Sequence, residues 1–406
     1  MKPMRLIWRA VLLLCLLGSI GLTKAAASEN VKLGVLTDLS SVYSDSSGNG
    51  AIFATQMAVD DLAAELKAAG IEVTVVSADH QGKPDIGANI ARQWLARDHV
   101  DVIVNVPNSA VGLAVQAITR AEKKIFLITG AATAALTGEQ CSPYSAHWTD
   151  DTYTLAHGTA AALINQGKKS WFFLVADYAF GHAMERAARS VVEAEGGRVL
   201  GSVRHPVGTP DMSSFLLQAQ ASGAQVIALA NGGIDTVNAI KGAHEFQITQ
   251  GGQSLVGMGL FITDVHSLGL DVAQGLYLTT GFYWDRNDES RAWSKRFFAK
   301  MNMMPTREHA ETYSAVHHYL RAVLAENTKD ADKIMARMKA VPVDDFYTHD
   351  GVLRADGRLV HSVNLAQVKT PAESKYPWDY YKIVSSIEAG KAFRPLAEGG
   401  CDFIAH

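Results

Sequence analysis

The chain predicts an α/β protein of two doubly wound lobes around a central ligand cleft. Three observations lead there. Short apolar runs alternate with amphipathic helical segments from residue 31 onwards. The alternation breaks between 130 and 150 and then restarts. Once a leader is set aside, roughly 380 residues remain, too many for one simple core, and no low-complexity linker divides them.

The elements follow in order. Residues 31–36 are a short apolar run, as expected of a strand covered on both faces. In 48–69, Val59, Leu62, Ala63 and Leu66 fall at i, i+3, i+4 and i+7, one face of a helix, and Gly70 stops it. Residues 71–77 are the next strand. Asp85 can cap a helix through 96, and 100–105 is a strand again. A helix at 109–122 and a strand at 124–129 complete βαβαβαβ, the pattern of a doubly wound parallel sheet. Residues 130–150 read as a loop. Helix 152–166, strand 171–175, helix 180–194 and strand 198–203 restart the rhythm. Helix 212–221, strand 226–230 and helix 234–246 continue it. A strand at 275–280 precedes helices at 289–301, 309–327 and 329–340. Asp356-Gly357 then marks a tight turn in a hairpin-like stretch at 351–358.

The first 27 residues read as a cleavable signal peptide. Lys2, Arg5 and Arg9 precede an apolar run at 10–22, and Ala25-Ala26-Ala27 supplies small residues for cleavage. The run is short for a permanent span. Cys15 raises a lipid anchor, but Leu14 stands where a small residue is wanted. Processing removes four basic residues and no acid, so 33 basic against 41 acidic residues remain, a net charge of −8. That balance argues against nucleic acid and anionic membranes as partners. Cys141 and Cys401 survive processing, and in an oxidising compartment they pair; the alternative is two buried free thiols.

The chemical motifs are missing. The first strand runs into Thr37-Asp38-Leu39-Ser40-Ser41 rather than G-x-G-x-x-G, and there is neither a P-loop nor a G-x-S-x-G elbow. The histidines lack metal-ligand spacing: no H-E-x-x-H occurs, and the adjacent His317 and His318 cannot face one site. Asp150-Asp151 reads as a helix cap rather than a catalytic pair. No cofactor, metal or catalytic residue is expected. What remains lies at the carboxyl ends of strands, where open α/β sheets bind ligands. Val106-Pro107-Asn108-Ser109-Ala110 opens a helix whose free N–H groups suit an anion. Gly130-Ala131-Ala132-Thr133, Asp177-Tyr178-Ala179-Phe180-Gly181, Asn231-Gly232-Gly233 and Gly281-Phe282-Tyr283-Trp284-Asp285 end four other strands.

From Val31 onwards the chain resembles the type I periplasmic solute-binding proteins of the leucine/isoleucine/valine-binding family. Val31-Lys32-Leu33-Gly34-Val35-Leu36-Thr37-Asp38, Gly130-Ala131-Ala132-Thr133-Ala134-Ala135-Leu136 and Ala176-Asp177-Tyr178-Ala179-Phe180-Gly181 carry the likeness. The resemblance implies two lobes joined by three crossovers: 31–145 with 277–345, and 146–276 with 346–395. The tail, 396–406, returns to the hinge. It also implies capture of a small solute by a monomer in the periplasm, and its delivery to an inner-membrane ABC permease. Asn108 and Ser109 would meet a ligand carboxylate, with Ala131 and Thr133 completing the cradle. Tyr178 and Asn231 would reach in from the second lobe, and Tyr43 would stack on the apolar part.

One departure matters. In amino-acid binders an acid after the strand before residue 260 holds the ligand ammonium. Here Leu260 or Phe261 stands there, unless Asp264 takes the role. An ammonium buried without a carboxylate is costly. With Phe180, Phe261, Phe282, Tyr283 and Trp284 nearby, an aromatic or apolar carboxylate is the expected ligand. Branched-chain amino acid or amide binding is the alternative, as is a sensor serving a separate receptor.

Overall fold

The computed structural model of the chain describes residues 29–349 and 351–404; the leader expected at 1–27 lies outside them. In the first lobe the alternation produces β1 (Glu29–Thr37), α1 (Gly48–Asp61), α2 (Ala63–Ala68), β2 (Ile71–Asp79) and α3 (Pro84–Ala96). It goes on with β3 (Val102–Asn105), α4 (Ser109–Ala121), β4 (Ile125–Ile128) and β5 (Ser145–His147). These strands form one parallel sheet in the order β2-β1-β3-β4-β5. The expected single helix over 48–69 is two, broken at Leu62. Pro84 takes the first position of α3, with Asp85 in its first turn rather than at the cap. The strand β5 inside the expected loop is three residues long, too short to show an apolar pattern.

The second lobe contains α5 (Thr152–Asn165), β6 (Ser170–Ala176), α6 (Ala179–Ala194), β7 (Arg198–His205) and α7 (Ser213–Ala221). It continues with β8 (Val226–Gly232), α8 (Ile234–Glu245), β9 (Ser254–Gly259), α9 (Ile262–Leu268), α10 (Leu270–Ala273) and β10 (Tyr277–Thr280). The chain then returns to the first lobe for α11 (Asp288–Met301), α12 (Arg307–Glu326) and α13 (Ala331–Ala340). A small hairpin of β11 (Val352–Leu353) and β12 (Leu359–Val360) follows, then β13 (Val363–Val368), β14 (Tyr381–Ile387) and the short α14 (Ala389–Ala392). Gly357 sits in the hairpin turn at φ +82°, a conformation that costs glycine little.

The second sheet has seven strands in the order β14-β13-β10-β9-β8-β6-β7, with β13 and β14 antiparallel. Two expected lobe boundaries move. β10 pairs with β13, so 277–280 belongs to the second lobe, and the return crossing begins at Gly281. His147 N donates to Gly357 O at 2.7 Å, which keeps the hairpin on the first lobe, and the second lobe resumes at β13. The physical reason is the same in both cases: a four-residue apolar run does not name its pairing partner. Three crossovers result, near 148–151, 281–286 and 361–362.

Helices cover both faces of each sheet. Leu36, Trp94, Ile103 and Phe126 pack one face of the first, and Trp171, Phe173 and Met184 one face of the second. The largest apolar cluster runs through both lobes, with Trp148, Phe282, Trp293 and Tyr347 at the hinge. The tail returns to the first lobe through the disulfide Cys141–Cys401, whose Cα atoms are 5.6 Å apart.

Candidate functional site

The end of β3 aims the first part of the site. Asn105 and Val106 have φ of +81° and +62°. For a β-branched valine that is a strained conformation, of order 1–3 kcal/mol. Buried hydrogen bonds hold it: Ser47 Oγ donates to Asn105 Oδ1 at 2.8 Å, and Val106 N donates to Leu36 O at 2.9 Å. The turn brings Pro107 and the start of α4 to the cleft. Asn108 caps that helix, its Oδ1 accepting from the backbone N–H groups of Ala110 and Val111. The carboxamide oxygen and those two donors are therefore committed within the protein. Ser109 Oγ accepts from Thr133 N at 3.2 Å.

The lobes are closed on each other. Ile234 N donates to Val42 O at 3.1 Å across the cleft, and the hydroxyls of Tyr43 and Tyr178 hydrogen-bond. Burial pushes both tyrosine hydroxyls up from their ordinary range, so they remain protonated. Gly233 makes the approach possible. It has φ +59°, and a Cβ there would stand 2.0 Å from Val42 O.

Behind this contact lies a small cavity of about 10 Å³. In the closed form that is room for about one water, far below the roughly 300 Å³ at which drug-sized pockets begin. The first lobe contributes Tyr43, Pro107, Gly130, Ala132, Arg307 and Glu308. The second contributes Phe180, Gly232, Gly259 and Phe261. Three of the residues expected at the site, Tyr43, Phe180 and Phe261, thus face one space, with Tyr178 on the hydroxyl of the first.

The other expected residues have different places. Asn231 is buried, with Nδ2 3.1 Å from His205 Nε2 and Oδ1 accepting from Thr236. Ala131 O lies 2.8 Å from His147 Nε2. Thr133 Oγ1 accepts from Ala135 N. Tyr283 and Trp284 line a neighbouring space, also of about 10 Å³, which shares Phe261 and Arg307 with the first. Trp284 Nε1 donates to Trp378 O at 2.9 Å, and Phe282 packs on Trp293 and Phe346. Asp264 accepts from Phe261 N at 2.9 Å as part of the cap of α9, and burial pushes its carboxyl up to about 8.

Arg307 and Glu308 were not anticipated from the sequence. They open α12, after the Thr306 cap, where a first-turn acid is ordinary. Only their convergence on the cavity marks them. Arg307 is 6% exposed, and its guanidinium lies 4.0 Å from the centre of the Phe261 ring. Its Nη1 donates to Leu260 O at 3.2 Å, and its Nε is unpartnered, 4.0 Å from Asp150 Oδ2. Glu308 is 2% exposed, its Oε2 has no hydrogen-bond partner, and burial pushes its carboxyl well above the usual range.

Residues 30–375 match the sequence model of the periplasmic binding protein family. The chain belongs to that family. The periplasmic binding protein from Burkholderia mallei is 48% identical, with a TM-score of 0.90 over 93% of this chain and 100% of that one. A branched chain amino acid ABC transporter periplasmic ligand-binding protein from Burkholderia xenovorans LB400 is 43% identical, with a TM-score of 0.82 over 92% and 99%. A solute binding protein from R. palustris in complex with 4-hydroxybenzoate is 21% identical, with a TM-score of 0.80 over 89% and 98%, a likeness of fold alone. Leu/Ile/Val-binding protein homolog 6 of Brucella melitensis is 25% identical over 221 residues, 53% of this chain and 55% of that protein. The chain spans about half the length of the curated relatives it matches. Family and fold are those of non-enzymatic periplasmic solute-binding proteins. Among the described residues of this periplasmic binding protein, no helix is long and apolar enough to cross a membrane.

Proposed function

We propose that the protein is the periplasmic solute-binding component of an ABC importer. It captures a small aromatic or apolar carboxylate as a monomer and offers the closed form to an inner-membrane permease. The observation that carries this reading is Arg307: a buried guanidinium with a spare donor, at a cavity walled by three aromatic rings. That donor has no hydrogen-bond partner within the protein, Asp150 Oδ2 standing 4.0 Å away, and a ligand carboxylate would satisfy it. The rings of Tyr43, Phe180 and Phe261 suit an apolar body. Fold relatives in complex with 4-hydroxybenzoate and benzoate support the ligand class. Lobe closure then signals cargo.

Calorimetric titration of the processed protein with benzoate, cinnamate, leucine and valine tests the reading. One of the aromatic acids binds tightly, and Arg307→Met lowers that affinity at least about 30-fold, the effect of losing one partner of a buried charge pair. Leucine or valine binding tightly with both acids silent would overturn it. A second reading, branched-chain amino acid binding, draws on Glu308, an acid that could meet an ammonium, and on the names of two relatives.

A further inference from the structure

Glu308 is the polar group of the cavity that carboxylate capture by Arg307 leaves unexplained. Its Oε2 is buried and unpartnered in a space otherwise walled by aromatic rings, backbone edges and one cation. The groups that face it are known from each neighbouring element. Arg307 and Glu311 lie on its own helix, the Ser47 hydroxyl hydrogen-bonds its carboxyl and Tyr43 lies near it from the segment before α1, and Tyr178 and Asp264 come from the second lobe. Among these, Arg307 is the one cation. A ligand carboxylate and an ionised Glu308 would set two buried anions against it, so beside such a ligand Glu308 is carried as the neutral acid. A neutral carboxyl both donates and accepts one hydrogen bond, and leaving it unmade is costly.

The backbone around the cavity decides what can answer it. An ammonium brings three donors. In the wall, the carbonyl oxygens of Tyr43 and Ala132 already accept from protein donors, so an ammonium there would depend on their second lone pairs. A hydroxyl needs only one donor and one acceptor, which the carboxyl of Glu308 supplies by itself.

Resting on the carboxylate reading above, we infer that Glu308 is the specificity-determining residue of the cavity, and that the ligand class is a hydroxylated aromatic acid rather than an unsubstituted one or an α-amino acid. A carboxyl serving only the first turn of α12 would alter the midpoint of unfolding and leave the ligand ratio alone.

The test is calorimetric titration of the processed protein with benzoate, its three monohydroxy isomers, phenylalanine and leucine, at pH 6 and pH 8.5. Wild type, Glu308→Gln and Glu308→Leu are compared, with the unfolding midpoint of each recorded. At least one hydroxybenzoate binds about tenfold or more tightly than benzoate, as for a polar group left unpaired by the smaller ligand. Glu308→Leu reduces that ratio to about one, and Glu308→Gln, which keeps a donor and an acceptor, retains most of it. Equal binding of benzoate and all its hydroxy isomers overturns this inference alone, as does a preference that survives Glu308→Leu. Tight amino-acid binding that strengthens at pH 8.5 overturns it in favour of an ammonium partner. Failure of every acid to bind overturns the carboxylate reading as well.

Discussion

Two residues at the start of α12 show how local grammar and site chemistry separate. Thr306 caps the helix in the ordinary way, its Oγ1 accepting from His309 N. Arg307 and Glu308 then turn into the cleft instead of solvent. The buried ionisable groups around them give a stability profile with a definite sign. Burial pushes Asp264 and Glu311 up to about 8, so the folded chain holds protons that the unfolded chain has released. Their contribution is complete at acid pH and is lost as pH rises towards 8. Burial pulls His309 and His361 down to about 4, so the folded chain keeps them neutral where the unfolded chain takes up protons. Their contribution is lost as pH falls from about 6.5 towards 4. The pairs oppose each other below about pH 6.5, and above it only the acids act. The ligand-free protein therefore melts at a lower temperature at pH 8.5 than at pH 6.5, measured by calorimetry in a buffer of fixed ionic strength. A midpoint that holds level or rises across that interval contradicts the burial argument.

At the scale of elements, closure depends on the turn between β8 and α8. Gly232 faces the cavity, and Gly233 lets Ile234 reach the carbonyl of Val42. An alanine at 233 meets that carbonyl at 2.0 Å in the closed form. Its left-handed conformation also costs about 1–2 kcal/mol in either form. If the clash disfavours closure by ~3 kcal/mol, the apparent affinity falls ~150-fold. Gly233→Ala is thus expected to fold, to bind weakly, and to keep in solution scattering the larger radius of an open form after ligand is added. Ligand-induced compaction equal to wild type would show that the turn does not gate closure.

At the scale of the molecule, the tail is a fourth link between the lobes. It leaves the second lobe after β14 and α14, and Arg394 Nη2 donates to Ala134 O at 3.1 Å in the first. The bond between Cys141 and Cys401 closes a loop of sequence separation 260. Loss of such a bond from an exported domain costs about 2–5 kcal/mol. The double serine variant should unfold at correspondingly lower urea, and the processed wild type, unfolded without reductant, should react with no thiol reagent. Two reactive thiols would contradict the bond.

Most of the alternation of strands and helices was legible, because it follows from local periodicity and from the chirality of parallel sheets, but the break at Leu62 and the strands β5, β9, β13 and β14 were not. The cysteine pair was legible, from compartment alone. Tertiary structure decided what periodicity does not encode. It placed β10 beside β13, since a short apolar run fits either sheet. It moved Tyr283 and Trp284 behind Phe261. It committed Asn108 and Asn231 to hydrogen bonds inside the protein. It also brought Arg307 and Glu308 to a cavity formed largely by residues far from them in the chain. Sequence alone determined the order of strands and helices and pointed to the carboxyl edge of the sheets as the place for a ligand. Which side chains meet there was settled only by folding, because burial and partnership are properties of distant neighbours.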